Sequence, residues 1–271
     1  MEPNSGSGSD YEAQLKAANE VVYKHSLELA RLTKELEASN AQQEALLHFI
    51  SHEIKGYLTK SEAAFAAISG GDYGPVAEPL KRMSDLALAD MRKGVATIMD
   101  ILDASNLKRG TVSYSKKPFD ISRVLQDTVK ELMSEAQEKN LQLTSEIPES
   151  SIIVNGDEEK IRRHVLRNVI DNSIRYTPSG SVHVQCIVEN DTVKIAVKDT
   201  GVGITADDMQ RLFTEGGHGK ESLKVNVHST GYGLFIAKQI VDAHSGSIKA
   251  ESAGANQGSL FSIEFPVAAS K

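Results

Sequence analysis

The chain has 271 residues, 40% of them apolar and 25% charged, with a formal net charge of −7. No run approaches the 18 or so consecutive apolar residues of a membrane span, and the acidic balance argues against a nucleic-acid partner. One cysteine, Cys186, excludes an internal disulfide framework and a multi-cysteine zinc site, and fits a reducing compartment.

Residues 1–10, with Gly and Ser alternating after Met-Glu-Pro-Asn, read as a flexible lead-in or an engineered scar rather than as structure, and no cleavable leader is recognisable. From Tyr11 to Ser69 there is no proline, and Gly56 is the only glycine. Val22, Leu29, Leu36 and Ile50 fall on one heptad register and Leu32 and Leu46 on a second, interrupted by polar Ser39 and Gln43. The pattern predicts a helix on the order of 85 Å long, which is implausible for a lone helix and points to a coiled-coil dimer over 11–45. Gly70-Gly71-Asp72-Tyr73-Gly74-Pro75 breaks the helix. A second helical pattern from Val76 to Leu107 makes an antiparallel hairpin over 46–110, and two hairpins would close as a four-helix bundle.

After Gly110 the texture turns to mixed α and β, and 111–271 is expected to be an α/β sandwich with helices on one sheet face. Strands are predicted at Thr111–Ser115, Leu141–Ile147, Ser247–Glu251 and Ser259–Pro266, with a hairpin of Ser181–Glu189 and Thr192–Asp199 around Asn190-Asp191. Helices are predicted at Ser122–Lys139, Asp157–Tyr176 (Asp157 as N-cap) and Leu234–His244.

Three constellations carry chemistry. His52 is followed by the carboxylate of Glu53 and, one residue on, by Lys55. An imidazole can attack phosphorus while a carboxylate takes its proton, although adjacent helix residues do not face one another. An ordinary surface histidine, or a metal pair of His48 with His52, are the competing readings. On the helix from Asp157, Asn168, Asn172 and Arg175 fall within about 60° of one another at 100° per residue. Asparagine is a poor helix former, so that face is unusual if it is merely solvated; its amide oxygens suit Mg²⁺ and Arg175 suits phosphate. Asp199, Gly201 and Gly203 follow a strand, where a carboxylate can accept from an adenine amino group and glycines allow close backbone approach; an ordinary turn would look the same. Thr230, Gly231, Gly233 and Leu234 open a helix whose free amides could meet phosphate. Between these glycine motifs, Thr205–Val227 is a polar loop that could close over a ligand, with Phe213 as packing anchor or plain core.

Taken together, His52-Glu53-Ile54-Lys55, Asn168–Pro178, Asp199–Ile204 and Thr230–Leu234 resemble the phosphoacceptor, asparagine and two glycine boxes of the sensor histidine kinase family, in order and spacing, over Leu46 to Pro266. The resemblance implies a helical dimerisation and phosphotransfer domain joined to a Bergerat-type ATP-binding domain. It implies ATP and Mg²⁺ as cofactors, with Asp199 on adenine, Asn172 helped by Asn168 on Mg²⁺, and Arg175 and Tyr176 beside the nucleotide. It implies autophosphorylation of His52 with Glu53 as base, then transfer to an aspartate on a response regulator receiver domain, in a cytoplasmic homodimer. Where the family has Thr or Asn and then Pro, this chain has Gly56 and Tyr57, which implies weak phosphatase activity. That departure also leaves open a different function, a nucleotide-binding dimeric scaffold with little catalysis.

Overall fold

The computed structural model describes residues 6–110, 112–217 and 231–268. It divides into two compact units, Met1–Arg92 and Lys93–Lys271. Among the described residues no helix is long and apolar enough to cross a membrane.

The first unit is helical. Helix α1 runs unbroken from Gly6 to Gly70, passing through Gly56, where an added Cβ would meet nothing within 4 Å. With no proline at position 57 the ladder of amides is not interrupted there. The chain reverses at Gly71 (φ 81°) and Gly74 (φ 103°), a left-handed geometry that glycine adopts without strain. Helix α2, Glu78–Lys108, then returns. The antiparallel register is pinned by Ser69 donating to Asp85 and by Arg92 Nε on Glu62 Oε1 at 3.0 Å. Leu58, Phe65 and Ile68 of α1 and Leu88 and Met91 of α2 are half-buried, and Ser84 is buried. Farther up α1 the seam residues Val22, Leu29, Leu32, Leu36 and Leu46 lie exposed.

The second unit begins inside α2, whose Ala104 is 3% exposed and joins the main core. The strand expected at Thr111–Ser115 is displaced: residues 112–116 are irregular, and β1 is Lys117–Asp120. Ser115 N donates to Asp157 Oδ2 at 3.0 Å and Tyr114 packs edge-on against His244 at 5.1 Å, so this stretch is held by side chains and not by a ladder. β1 pairs antiparallel with β3, Ile153–Gly156, a strand the sequence reading missed.

Helix α3, Ile121–Glu138, is capped by Asp120, whose Oδ1 accepts from Ser122 N at 3.1 Å and also from Ile152 N at 3.1 Å. Its buried stripe Ile121, Leu125, Thr128, Val129, Leu132 and Ala136 has helical spacing. β2 is Gln142–Glu146. The next helix comes in three stretches: α4 Glu158–Lys160, a π-helical stretch Ile161–Arg167, and α5 Asn168–Arg175. Asp157 caps it as expected, accepting from Lys160 N at 3.1 Å.

The predicted hairpin forms as β4 Ser181–Glu189 and β5 Thr192–Asp199, turning at Asn190 (φ 50°) and Asp191 (φ 58°). α6, Ala206–Met209, and α7, Gly233–Ala243, precede β6, Ser247–Glu251, and β7, Ser259–Pro266. The sheet order is β2-β4-β5-β7-β6, with β2 parallel to β4 and every other pair antiparallel. Val182, Val184, Cys186, Val193, Ile195, Val197, Phe261, Ile263 and Phe265 make the inner sheet face, against which the helices bury Val165, Ile170, Ile174, Ile236 and Ile240. The architecture is a helical N-terminal region followed by an α/β sandwich with one mixed sheet.

Candidate nucleotide site

Asp199, at the end of β5, is 4% exposed. Its Oδ1 accepts from Gly201 N at 2.9 Å and Ser259 N at 3.1 Å, and its Oδ2 accepts from the Ser259 hydroxyl. Three donors aimed at one carboxylate fix an acceptor at the strand end. Ser259 was not singled out from the sequence; 60 residues separate it from its partner, and only the pairing Asp199↔Ser259 across β5 and β7 brings them together.

The glycines after Asp199 serve the chain's own backbone first. A Cβ on Gly201 would run into the Tyr176 carbonyl oxygen, and one on Gly203 (φ 69°) into the Gly254 carbonyl oxygen. Val202 N donates to Tyr176 O at 3.0 Å, and Gly258 N to Gly201 O at 3.1 Å. The loop is thereby clamped between the end of α5 and the turn before β7, which sets Tyr176, half-buried, beside the glycine loop. Thr177, fully buried, donates to Ser173 O at 2.7 Å and closes α5.

On α5, Asn172 Nδ2 donates to Asn168 Oδ1 at 3.2 Å, while Asn168 Nδ2 is buried without a partner among the described residues. A buried, unpartnered amide is costly in a finished core. Gly233 of α7 faces it: a Cβ there would lie 2.7 Å from Asn168 Oδ1. Gly231 has φ 69°, no side chain among the described residues caps α7, and Ile236 N donates to Tyr232 O at 2.9 Å. Gly233, Leu234 and Phe235 open the helix, and the first amides of a helix together with its dipole favour an anion. Leu234 packs half-buried on the core. Thr230 lies outside the described residues, as does the loop from 218. Phe213 packs against the core.

These features suit a magnesium nucleotide. The two amides supply neutral oxygens of the kind Mg²⁺ accepts, the orphaned Asn168 amide marks the place as incomplete by itself, and Gly233 leaves the cradle open. Arg175 is brought to the same face, with Nη2 on Asp171 Oδ2 at 2.6 Å.

His52 and Glu53 belong to the other unit. The His52 side chain is 78% exposed, and its Nδ1 stands 3.7 Å from Glu53 Oε1, beyond hydrogen-bond length but within ion-pair reach.

Residues 156–269 match the family described as histidine kinase-, DNA gyrase B-, and HSP90-like ATPase. The chain is 28% identical over 232 residues to the circadian input-output histidine kinase CikA of Synechococcus elongatus, covering 85% of this chain and 31% of that protein. It is 30% identical over 261 residues to the adaptive-response sensory kinase SasA of a Synechococcus species, covering 94% of this chain and 66% of that one. Its fold is similar to part of full-length ShkA solved in complex with AMPPNP, with a TM-score of 0.67 at 21% identity over 83% of this chain and 46% of that one. The chain thus spans from about a third to about two thirds of these curated relatives. It belongs to the histidine-kinase family, and its residues 156–269 are the ATPase domain of that family.

Proposed function

We propose that the chain is a protein-histidine kinase that phosphorylates its own His52 from ATP and passes the phosphoryl group to an aspartate of a response regulator receiver domain. The observation that carries this reading is His52 itself: an exposed imidazole with a carboxylate 3.7 Å from Nδ1, on the same chain as an ATPase domain. In the forward step the ring nitrogen opposite Nδ1 bonds to the γ-phosphorus, the bond to the ADP oxygen breaks, and Glu53 takes the Nδ1 proton. Asp199 accepts from the adenine amino group, Gly201 and Gly203 shape its loop, and Tyr176 lies alongside. Thr230, Gly231, Gly233 and Leu234 present the phosphate-facing helix start. Asn172, helped by Asn168, holds Mg²⁺. Magnesium bound there supplies charge neutralisation on the phosphate oxygens.

The exposed heptad seam of α1 supports a homodimer, with 11–45 as a coiled coil, 46–110 as the dimerising hairpin and 111–271 as the catalytic domain. A cytoplasmic location accords with the single buried cysteine, whose thiol burial pushes to about 11. Gly56 offers no side-chain group to hold a hydrolytic water, which favours a kinase with weak phosphatase activity.

Incubating the purified chain with γ-labelled ATP tests the reading. The wild type should gain an acid-labile, base-stable phosphate that His52→Gln does not. Labelling that survives His52→Gln overturns the assignment, and nucleotide binding with no labelling of the wild type favours the scaffold.

A further inference from the structure

One stripe of α3 grips the nucleotide-facing helix along its length. Glu131 Oε1 accepts from Arg162 at 3.0 Å and Oε2 from Arg167 at 2.9 Å. Glu135, one turn on, lies near the Asp171 carboxylate, whose charge adds to burial in holding the Glu135 carboxyl above the usual carboxylate range. Lys139, one turn further, donates to the carbonyl oxygens of Ile174 and Arg175 at 3.2 and 3.1 Å. Spacing of four puts Glu131, Glu135 and Lys139 on one α3 face, so the two helices are zipped by charge.

At the centre of this zipper Asp171 holds the Arg175 guanidinium, with Nη2 at 2.6 Å from its Oδ2. At 100° per residue Arg175 projects between Asn168 and Asp171, about 20° from Asn168 and about 40° from Asp171. The Arg175 side chain is 41% exposed, so an unheld guanidinium would sample many rotamers. Asp171 engages Nη2 of a guanidinium that carries five donors in a planar fork, so fixing one nitrogen fixes the plane of the others.

We propose that Asp171 is a positioning residue: it aims the Arg175 guanidinium at the phosphate chain of the bound nucleotide. This rests on the reading that Arg175 meets phosphate. Asp171 itself never touches the nucleotide. It reduces the rotamer freedom that Arg175 loses on binding, and holds one Nη so that the others meet phosphate oxygens in a fixed direction.

The test measures affinities of the full chain for ATP, ADP and adenosine in Asp171→Ala, Arg175→Ala and the double variant. Asp171→Ala should weaken ATP and ADP about tenfold and leave adenosine unchanged, because only phosphate contacts pass through Arg175. The double variant should be no worse than Arg175→Ala alone, as two residues acting through one contact are not additive. Asp171→Asn, which keeps the shape and an acceptor, should lose less than Asp171→Ala in the same direction, and it decides the matter if the alanine variant does not fold. Equal losses for ATP and adenosine, additive effects in the double variant, or unchanged ATP binding in Asp171→Ala and Asp171→Asn would each overturn the positioning role. If Arg175→Ala leaves ATP binding intact, the phosphate role of Arg175 is what fails, and the role of Asp171 falls with it.

Discussion

Gly233 at the start of α7 and Asn168 on α5 meet across the candidate site so closely that a single methyl group at Gly233 would lie 2.7 Å from the Asn168 amide oxygen and 3.1 Å from its nitrogen. The amide it would strike is the one whose Nδ2 is buried without a partner among the described residues. Gly233→Ala should therefore act mainly on the ligand. The Asn168 amide must swing out of the position from which it and Asn172 would hold Mg²⁺, while the fold absorbs an overpacking cost of about 1–3 kcal/mol. ATP affinity measured with magnesium should fall roughly tenfold or more, a change of about 1.4 kcal/mol. ATP affinity equal to wild type would show that the amide is not part of the site.

His244 couples stability to pH. Its Nδ1 lies 2.7 Å from the Ile240 carbonyl oxygen, and its Nε2 accepts from Asp157 N at 3.0 Å, an arrangement open only to the neutral ring. Burial holds this imidazole below the usual histidine value of 6.5. Burial does the same to His164, partly opposed by Asp103, whose Oδ2 is 3.6 Å from His164 Nε2. The unfolded chain therefore takes up protons that the folded chain refuses. The stabilisation is complete above about pH 7 and is lost as pH falls through 6.5, at no more than about 1.4 kcal/mol per pH unit for each group. Denaturant midpoints between pH 8 and 5.5 should show a plateau and then a fall, and His244→Gln should flatten part of that fall. An equal slope in wild type and variant would remove His244 as its source.

The same histidine explains why part of the fold was hidden in the sequence. The β4–β5 hairpin could be read at once, because alternation of Val182, Val184 and Cys186 against Val193, Ile195 and Val197 is a local signal and Asn190-Asp191 tolerate positive φ. Thr111–Ser115 has comparable local texture, but Ser115 and Tyr114 are claimed by Asp157 and His244, 42 and 130 positions away. Pro118 then sits in β1 at the edge of a two-stranded sheet. The site was legible where one helix or one loop carried it, as with Asn168 and Asn172, four apart. The Ser259 clamp on Asp199 was not, since it joins elements far apart in the chain. Nor does the sequence mark the π-helical stretch 161–167 that leads into Asn168.

Gly56, four residues after His52, has no neighbour within 4 Å of the Cβ it lacks. A threonine fits there sterically and puts a hydroxyl one helical turn from the imidazole, able to orient a water. Gly56→Thr should raise dephosphorylation of a phosphorylated receiver domain by this chain and leave labelling of His52 intact. It should not weaken the helix, since glycine in a helix interior is worse than other residues by up to about 1 kcal/mol. Rapid dephosphorylation by the wild type, unchanged on replacing Gly56, would end the argument that the missing side chain limits this activity.

The exposed seam of α1 sets up the last prediction. Leu29, Leu32 and Leu36 remain 64%, 55% and 62% exposed on the single chain, and Leu46 56%. Between them Ser39 and Gln43 put polar groups into the register that a second helix would cover. Polar seam positions cost stability and keep neighbouring packings close in energy, which lets an upstream displacement travel down the helix toward His52. Replacing both with leucine removes the polar interruption and deepens one packing. Ser39→Leu with Gln43→Leu should lower the dimer dissociation constant, and in the intact receptor it should bias the rate of His52 labelling toward one value whatever the signal. A tighter dimer that responds to signal as before would separate seam strength from signalling and place the bistable element elsewhere. A dimer no tighter than wild type would mean that the second helix does not lie along this seam at all.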